Sequence, residues 1–352
     1  MPRRPKCASE LAARHLPVNG RAVAASAAGP SRGFSRDSWA ALFVVNVVLL
    51  TACADDLARS RDILFVAQRP GGTEDTYALH VADLTTRRLI KADSATSRSL
   101  PAWSPDTRSI AFIREFDDHS QLYVLDTVGG TPRQLAPQLD KFLAWPDWSP
   151  DGGSILFTAE FPDHHADVYV IRTDGSGLRT VLQDSTNYRC PSWAPDGRRF
   201  AVSAWRAGRS AIRAVEVESG AAHTLLASDT SYLDCPQWSP KGDAIVLTII
   251  PGNTDMWKRD PLEPWRTDLG ILDLKSGQLR LLVGGPGLNN YGHWSRDGHW
   301  IVFPSNRHAA PQIDSRPLRE RFWSLEIYIV RPDGSDLRRL TTNGYFDGHP
   351  SW

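Results

Sequence analysis

Four groups of side chains in this 352-residue sequence carry chemistry worth weighing. The first is a set of aromatic and polar residues that recurs just before a repeated tripeptide: Trp145, Tyr188 and Arg189, Tyr232 and Asp234, Asn290, Tyr291 and His293, then Phe346, Asp347 and His349. Convergent groups of this kind suit recognition, and His293, His349, Asp234 and Arg189 could serve acid–base work on a sugar. The second is a pair of long segments holding Trp257 and Trp265, then Arg321 and Trp323, residue types enriched where proteins meet partners. The third is cysteine: Cys7, Cys53, Cys190 and Cys235, without a CxxC or a zinc-type Cys/His spacing. The fourth comprises His164-His165 with Asp163 and Asp167, and Asp117-Asp118-His119. These offer metal-ligand atoms, but each lies in a short exposed loop without a geometric partner set. No metal and no cofactor is expected. A G-x-S-x-G nucleophile elbow is missing from the sequence, so no catalytic residue is assigned.

The elements that position these groups are read from a repeat. Pro101-Ala-Trp103-Ser-Pro-Asp106 recurs at Pro146–Asp151, Pro191–Asp196 and, with Lys for Asp, Pro236–Lys241. A weaker copy reads Gly292-His-Trp294-Ser-Arg-Asp297, and Pro350-Ser-Trp352 opens a sixth. The Trp-to-Trp steps are 45, 45, 45, 56 and 58 residues, and 13 tryptophans in the chain reflect that repetition. After each Asp-Gly turn comes an apolar strand such as Ile110–Ile113, Ile155–Thr158 or Ile245–Thr248. A second strand follows (Gln121–Asp126), then a Gly-containing turn and a third strand (Leu178–Leu182). Counting the Pro-x-Trp strand, each unit has four short strands, which is the make-up of a propeller blade.

An all-β, six-bladed β-propeller of four-stranded blades over 62–352 is therefore expected. Blade one takes Ile63–Val66, Tyr77–Leu84 and Arg87–Ile90, and lacks a Pro-x-Trp strand of its own. His349–Trp352 at the C-terminus supplies one, so the last strand pairs into blade one and closes the ring without exposed edges. The repeated Trp residues are core wedges, and Asp106, Asp151, Asp196 and Asp297 satisfy turn amides. In such a disc the residues before each Pro-x-Trp strand ring the mouth of the central channel. The loops Ile250–Arg266 and Pro304–Ser324 share that face, while the opposite face has only tight turns. Cys190 and Cys235 sit at equivalent places of adjacent blades; equivalent residues on neighbouring blades are usually too far apart to bond, so two buried thiols are expected.

These repeats resemble the TolB-type propeller repeat, a WD40-like family of periplasmic and secreted bacterial proteins. The resemblance covers roughly residues 60–352. TolB itself carries an α/β domain before its propeller, whereas eight residues lie between Cys53 and Asp62 here, so the role of that domain is not carried over.

Residues 1–52 have a different character. They hold seven Lys/Arg and two acids, net +5, which the remaining 300 residues balance to a formal charge of zero. That balance gives no electrostatic reason to expect nucleic acid. Arg32 and Arg36 precede the apolar run Trp39–Leu50, shorter than the roughly 20 residues that span a bilayer. The run ends in Leu50-Thr-Ala-Cys53, which resembles the bacterial lipobox. The resemblance implies a leader over 1–52, lipidation at Cys53, a tether over 53–61 and, with Ala54 next, sorting to the outer membrane. The membrane would then be engaged through the lipid alone. The expected function is an envelope lipoprotein whose propeller is a non-catalytic binding module for a protein or glycan. The alternative is a propeller carbohydrate lyase or hydrolase with its site at the channel mouth.

Overall fold

A computed structural model describes residues 62–68, 74–92, 100–161, 165–252, 266–285, 287–309, 324–344 and 346–352. The 1–52 leader, Cys53 and its tether, and the candidate residues Trp257, Trp265, Arg321 and Trp323 lie outside the described residues, as do Asp163 and His164. The described part is all-β apart from a 3-10 turn at Arg307–Ala309.

Its strands run in chain order as the repeat dictates. The first three are β1 (Ile63–Gln68), β2 (Glu74–Leu79) and β3 (Thr86–Ile90); the next repeat gives β4 (Ala102–Trp103), β5 (Ser109–Glu115), β6 (Ser120–Asp126) and β7 (Arg133–Leu135). Then come β8 (Phe142–Trp148), β9 (Ser154–Glu160), β10 (Ala166–Arg172) and β11 (Arg179–Leu182), followed by β12 (Asn187–Trp193), β13 (Arg199–Arg206), β14 (Arg209–Glu216) and β15 (Ala222–Ser228). Last are β16 (Ser231–Trp238), β17 (Ala244–Pro251), β18 (Asp268–Asp273), β19 (Leu279–Val283), β20 (His293–Trp294), β21 (Ile301–Ser305), β22 (Glu326–Val330), β23 (Arg338–Arg339) and β24 (Phe346–Ser351).

Four sheets have four strands each: β24-β1-β2-β3, β4-β5-β6-β7, β16-β17-β18-β19 and β20-β21-β22-β23. The remaining sheet has eight strands, because one parallel contact, Ala166 with Asn187, joins β8–β11 to β12–β15. All other pairings within the sheets are antiparallel between chain neighbours, except that β24 from the C-terminus lies against β1. The second strand of the first unit stops at Leu79 rather than Leu84. Leu84 sits at φ 58°, and Asp83 accepts from the Thr85 amide at 3.0 Å, so that stretch is a turn.

The core lies between sheets. The apolar strands that follow the inner strand of each sheet, such as β1, β5, β9, β13 and β17, are buried along most of their length, the pattern of a strand covered on both faces. The repeated Trp103, Trp148, Trp193, Trp238, Trp294 and Trp352 are all buried. Trp148 donates its indole N–H across to the Ala102 carbonyl at 3.1 Å, and Trp103 to the Asp62 carbonyl at 3.0 Å. The turn aspartates act as expected: Asp106, Asp151, Asp196 and Asp297 each accept the backbone N–H two residues on. Behind each of these turns a proline packs on the next repeat's glycine, Pro105 on Gly152, Pro150 on Gly197, Pro195 on Gly242 and Pro240 on Gly298. Arg296 stands where the fifth copy would have that proline, and its guanidinium reaches the carbonyls of Ser104 (2.7 Å) and Pro105.

Candidate functional site

The inner strands β8, β12 and β16 break register just before the motif Trp. Bulges fall between Ala144 and Asp147, Arg189 and Ser192, and Asp234 and Gln237. Trp145, Cys190, Cys235, Tyr291 and His349, all three residues before a motif Trp, have φ between 43° and 57°. Left-handed backbone is costly for residues other than glycine, and such positions re-aim side chains. Here they point one residue from each repeat, together with Leu100, at a common space.

That space has two parts. A chamber of about 110 Å³ is lined by the six equivalent tripeptides Leu100–Ala102, Trp145–Asp147, Cys190–Ser192, Cys235–Gln237, Tyr291–His293 and His349–Ser351. A wider mouth of about 610 Å³ opens beyond it, walled by Phe142, Tyr188, Arg189 and Phe346, with Glu74, Glu115 and Glu160 around it. Leu100, Trp145, Tyr291 and His349 line both, so they form the waist. Three of them pack as an aromatic cluster: Trp145 lies 5.4 Å from Tyr291 and 5.8 Å from His349, and Tyr291 lies 5.1 Å from His349, centroid to centroid. The Arg189 guanidinium sits 5.6 Å over the Trp145 ring. Burial opposes the charge on Arg189, but the Asp234 carboxylate, with the Tyr232 and Tyr291 hydroxyls, more than compensates and keeps it protonated. Burial also pushes the Tyr232 hydroxyl up, reinforced by Asp234.

The mouth thus gathers Trp145, Tyr188, Arg189, Tyr291, Phe346 and His349. Tyr188 turns its hydroxyl outward, donating to Asp184 at 3.1 Å and accepting from Arg213 at 3.3 Å. Tyr232, Asp234, Asn290 and Asp347 are buried in the wall behind the lining; Asp234 accepts from Ser203 Oγ at 2.9 Å, and Asp347 from the Asn343 side chain at 2.6 Å. His293 belongs to the chamber rather than the mouth. Burial lowers its pKa to about 4, so the ring is neutral, and its Nε2 lies 2.7 Å from Gln237 Nε2. The four residues weighed for acid–base chemistry therefore do not share one cavity. Asp118 is paired with His119 at 2.6 Å at the surface, apart from the channel-lining residues.

Sequence reasoning missed the residue between Pro and Trp. Its side chain pins one repeat to the next by accepting from the following motif Trp amide: Asp147 from Trp193 (2.7 Å), Ser192 from Trp238 (3.4 Å), Gln237 from Trp294, and Ser351 from Trp103 (3.4 Å). His293 Nδ1 lies 3.2 Å from the Trp352 amide in the same relation. Aligning the repeats on Trp would have exposed this column as Ala, Asp, Ser, Gln, His, Ser. Burial raises Asp147 to about 7, against the smaller lowering effect of the Trp193 amide.

The expectation of two thiols is corrected: Cys190 and Cys235 form a disulfide, with Cα atoms 4.8 Å apart. Inner strands converge on the axis, and the bulge turns both residues inward, so equivalent positions come within bonding reach there.

The family profile of the TolB β-propeller domain matches residues 57–259, more than half of the sequence. The chain belongs to the TolB β-propeller family. The crystal structure of TolB from Acinetobacter baumannii superposes with a TM-score of 0.64 at 20% identity, over 83% of this chain and 66% of that one. A TolB-assigned protein of Agrobacterium tumefaciens gives 0.60 at 16% identity, over 82% and 89%. At these identities the likeness is one of fold. In sequence, an uncharacterized protein of Agrobacterium fabrum is 32% identical over 83 residues, which span 24% of each chain. The matched stretch thus covers about a quarter of that relative. Among the described residues no helix is long and apolar enough to cross a membrane.

Proposed function

We propose that this TolB-type propeller is an envelope lipoprotein, tethered through Cys53, that works as a non-catalytic binding module for a protein or glycan at its channel mouth. The proposal takes the eight-stranded sheet as two blades and the ring as six-bladed and closed by β24. In support, β8–β11 and β12–β15 each repeat the four-strand unit, six equivalent tripeptides line one chamber, and β24 fills the inner place of the first unit.

The observation that carries the binding role is the mouth itself: about 610 Å³, open, walled by aromatic rings, with the half-buried Arg189 guanidinium in its lining and an aromatic waist beneath. Aromatic and Arg anchors in a concave site are the usual bearers of binding energy.

The test is quantitative capture of envelope proteins and of cell-wall glycan fragments by the immobilised chain. Phe142→Ala with Trp145→Ala should weaken capture at least tenfold, about 1.4 kcal/mol, whereas Asp174→Ala and Asp333→Ala, in the opposite turns, leave it intact. The reverse pattern would place the binding face on the other side, and turnover of a glycan fragment would favour the lyase or hydrolase reading.

A further inference from the structure

The chamber wall holds a second constellation, independent of the mouth's binding role. We propose that Cys190, Cys235 and Asp234, with the disulfide reduced, form a binding site for a thiophilic divalent cation of the zinc type. The two sulfurs and a carboxylate oxygen of Asp234 all lie within 4.8 Å of one another. Zinc–sulfur bonds of about 2.3 Å and a zinc–oxygen bond of about 2.1 Å place tetrahedral ligands roughly 3.5–3.8 Å apart, inside that span. In the structure the two sulfurs are joined in the disulfide, with Cα atoms 4.8 Å apart, so on reduction they must separate to that ligand spacing while the backbone stays in place. Both cysteines sit at the left-handed bulge position (φ 48° and 43°), which aims their sulfurs at the axis, and Asp234 immediately precedes Cys235 in the chain.

The surroundings suit a metal. All three residues are buried, at 7%, 7% and 4% exposure. Ser203 Oγ donates to Asp234 Oδ1 at 2.9 Å, the kind of outer partner that orients a ligating carboxylate. The two cysteines also line the chamber, whose 110 Å³ leaves room for a water to fill the fourth position. The charge count closes as well. With the disulfide or with two thiols, Asp234 and Arg189 sum to zero. With M²⁺ and two thiolates they again sum to zero, so metal binding adds no net charge to a buried place.

The chemistry balances in two steps. A dithiol reduces the sulfur–sulfur bond by exchange and leaves as its cyclic disulfide, or a phosphine does so with one water and leaves as the phosphine oxide; either route gives two thiols. The cation then displaces two protons, forming two metal–sulfur bonds and one metal–oxygen bond. Soft and borderline ions are preferred over calcium or magnesium by the sulfur donors. Metal and disulfide exclude one another, so the site records the redox history of the chamber.

Cobalt(II) and zinc(II) test this on the full chain reduced with a phosphine. Reduced wild type should show a sulfur-to-cobalt charge-transfer band and take up one more equivalent of zinc than reduced Cys190→Ser/Cys235→Ser, which retains Cys7 and Cys53 as a thiol background. Asp234→Asn should bind at least tenfold more weakly, and zinc should slow re-formation of the Cys190–Cys235 bond on air oxidation. Equal zinc uptake by wild type and the double serine variant overturns the site. So does a reduced wild type that unfolds and is not refolded by zinc, since the ligand geometry would then depend on the disulfide. Melting curves for each variant separate loss of metal from loss of fold.

Discussion

Asp147 is the residue at which physics departs furthest from ordinary surface behaviour. Its carboxyl lines the chamber, takes a hydrogen bond from the Trp193 amide and is raised by burial to about 7 from an ordinary 3.8. In the window between those values the folded chain holds a proton that the unfolded chain has released. Stability contributed by this residue is therefore present at acidic pH and lost as pH rises through about 7. Asp147→Asn keeps an oxygen to accept from Trp193 and removes the cost of ionisation. The variant should melt close to wild type near pH 3.5 and several degrees above it at pH 8, in paired calorimetric scans. A variant less stable than wild type at both pH values would mean the carboxylate is compensated. None of this was legible in the sequence, where Asp147 looks like one variable letter in Pro-x-Trp. The waist aromatics Trp145, Tyr291 and His349 were legible, because polarity and ring content at their column contrast with the apolar strands beside it. The disulfide was not, since repeat spacing gives equivalence of position but no distance; the bulge that brings Cys190 and Cys235 together shows only in backbone angles.

Between elements, the repeat carries most of its own assembly instructions. Each Ser-Pro-Asp-Gly turn satisfies its own amides and packs its proline on the next repeat's glycine, so strand positions could be read from one motif to within a few residues. The exceptions are where two elements meet outside the repeat. The single parallel contact of Ala166 with Asn187, which fuses two units into one sheet, has no sequence signal. Arg296 has one: it breaks the proline column. The first unit takes its inner strand from β24 and so has no such turn of its own, leaving the turn of β20–β21 to face that of β4–β5. A proline there could not span the gap, whereas the guanidinium donates to Ser104 and Pro105 carbonyls across it. Charge-assisted bonds of this kind contribute roughly 1.5–3 kcal/mol each to a partly buried site. Arg296→Ala should lower the melting temperature by several degrees and raise amide exchange in β24 and β1 selectively. Arg198→Ala, at an exposed arginine in an equivalent turn, should do neither. Uniform exchange across all sheets in Arg296→Ala would show that the arginine does not serve a local contact between the β20–β21 and β4–β5 turns.

At the scale of the whole molecule, the chain divides into residues 1–59 and 60–352, and the charge divides with it. The propeller holds the described cavities and contacts, and its fold was open to sequence reasoning because one tryptophan motif recurs at nearly constant steps. What it binds was not, since the proposed recognition rests on mouth residues that differ from repeat to repeat. The proposed leader poses a separate physical question, which is how a propeller in a segment of net charge −5 would be kept at a membrane. An apolar run of about a dozen residues is too short to hold the chain permanently in a bilayer as a helix. A lipidated Cys53 would hold it instead, because each buried CH₂ contributes about 0.8 kcal/mol and more than one acyl chain is needed for stable attachment. The full chain expressed in a Gram-negative host should thus fractionate with membranes, resist extraction by high salt, and show by mass a modified N-terminal peptide starting at Cys53. Cys53→Ser should leave the protein either unprocessed or in the soluble fraction, with capture at the propeller mouth unchanged. Membrane retention and peptide mass identical in wild type and Cys53→Ser would eliminate the tether and leave only the propeller's own surface to explain where the protein resides.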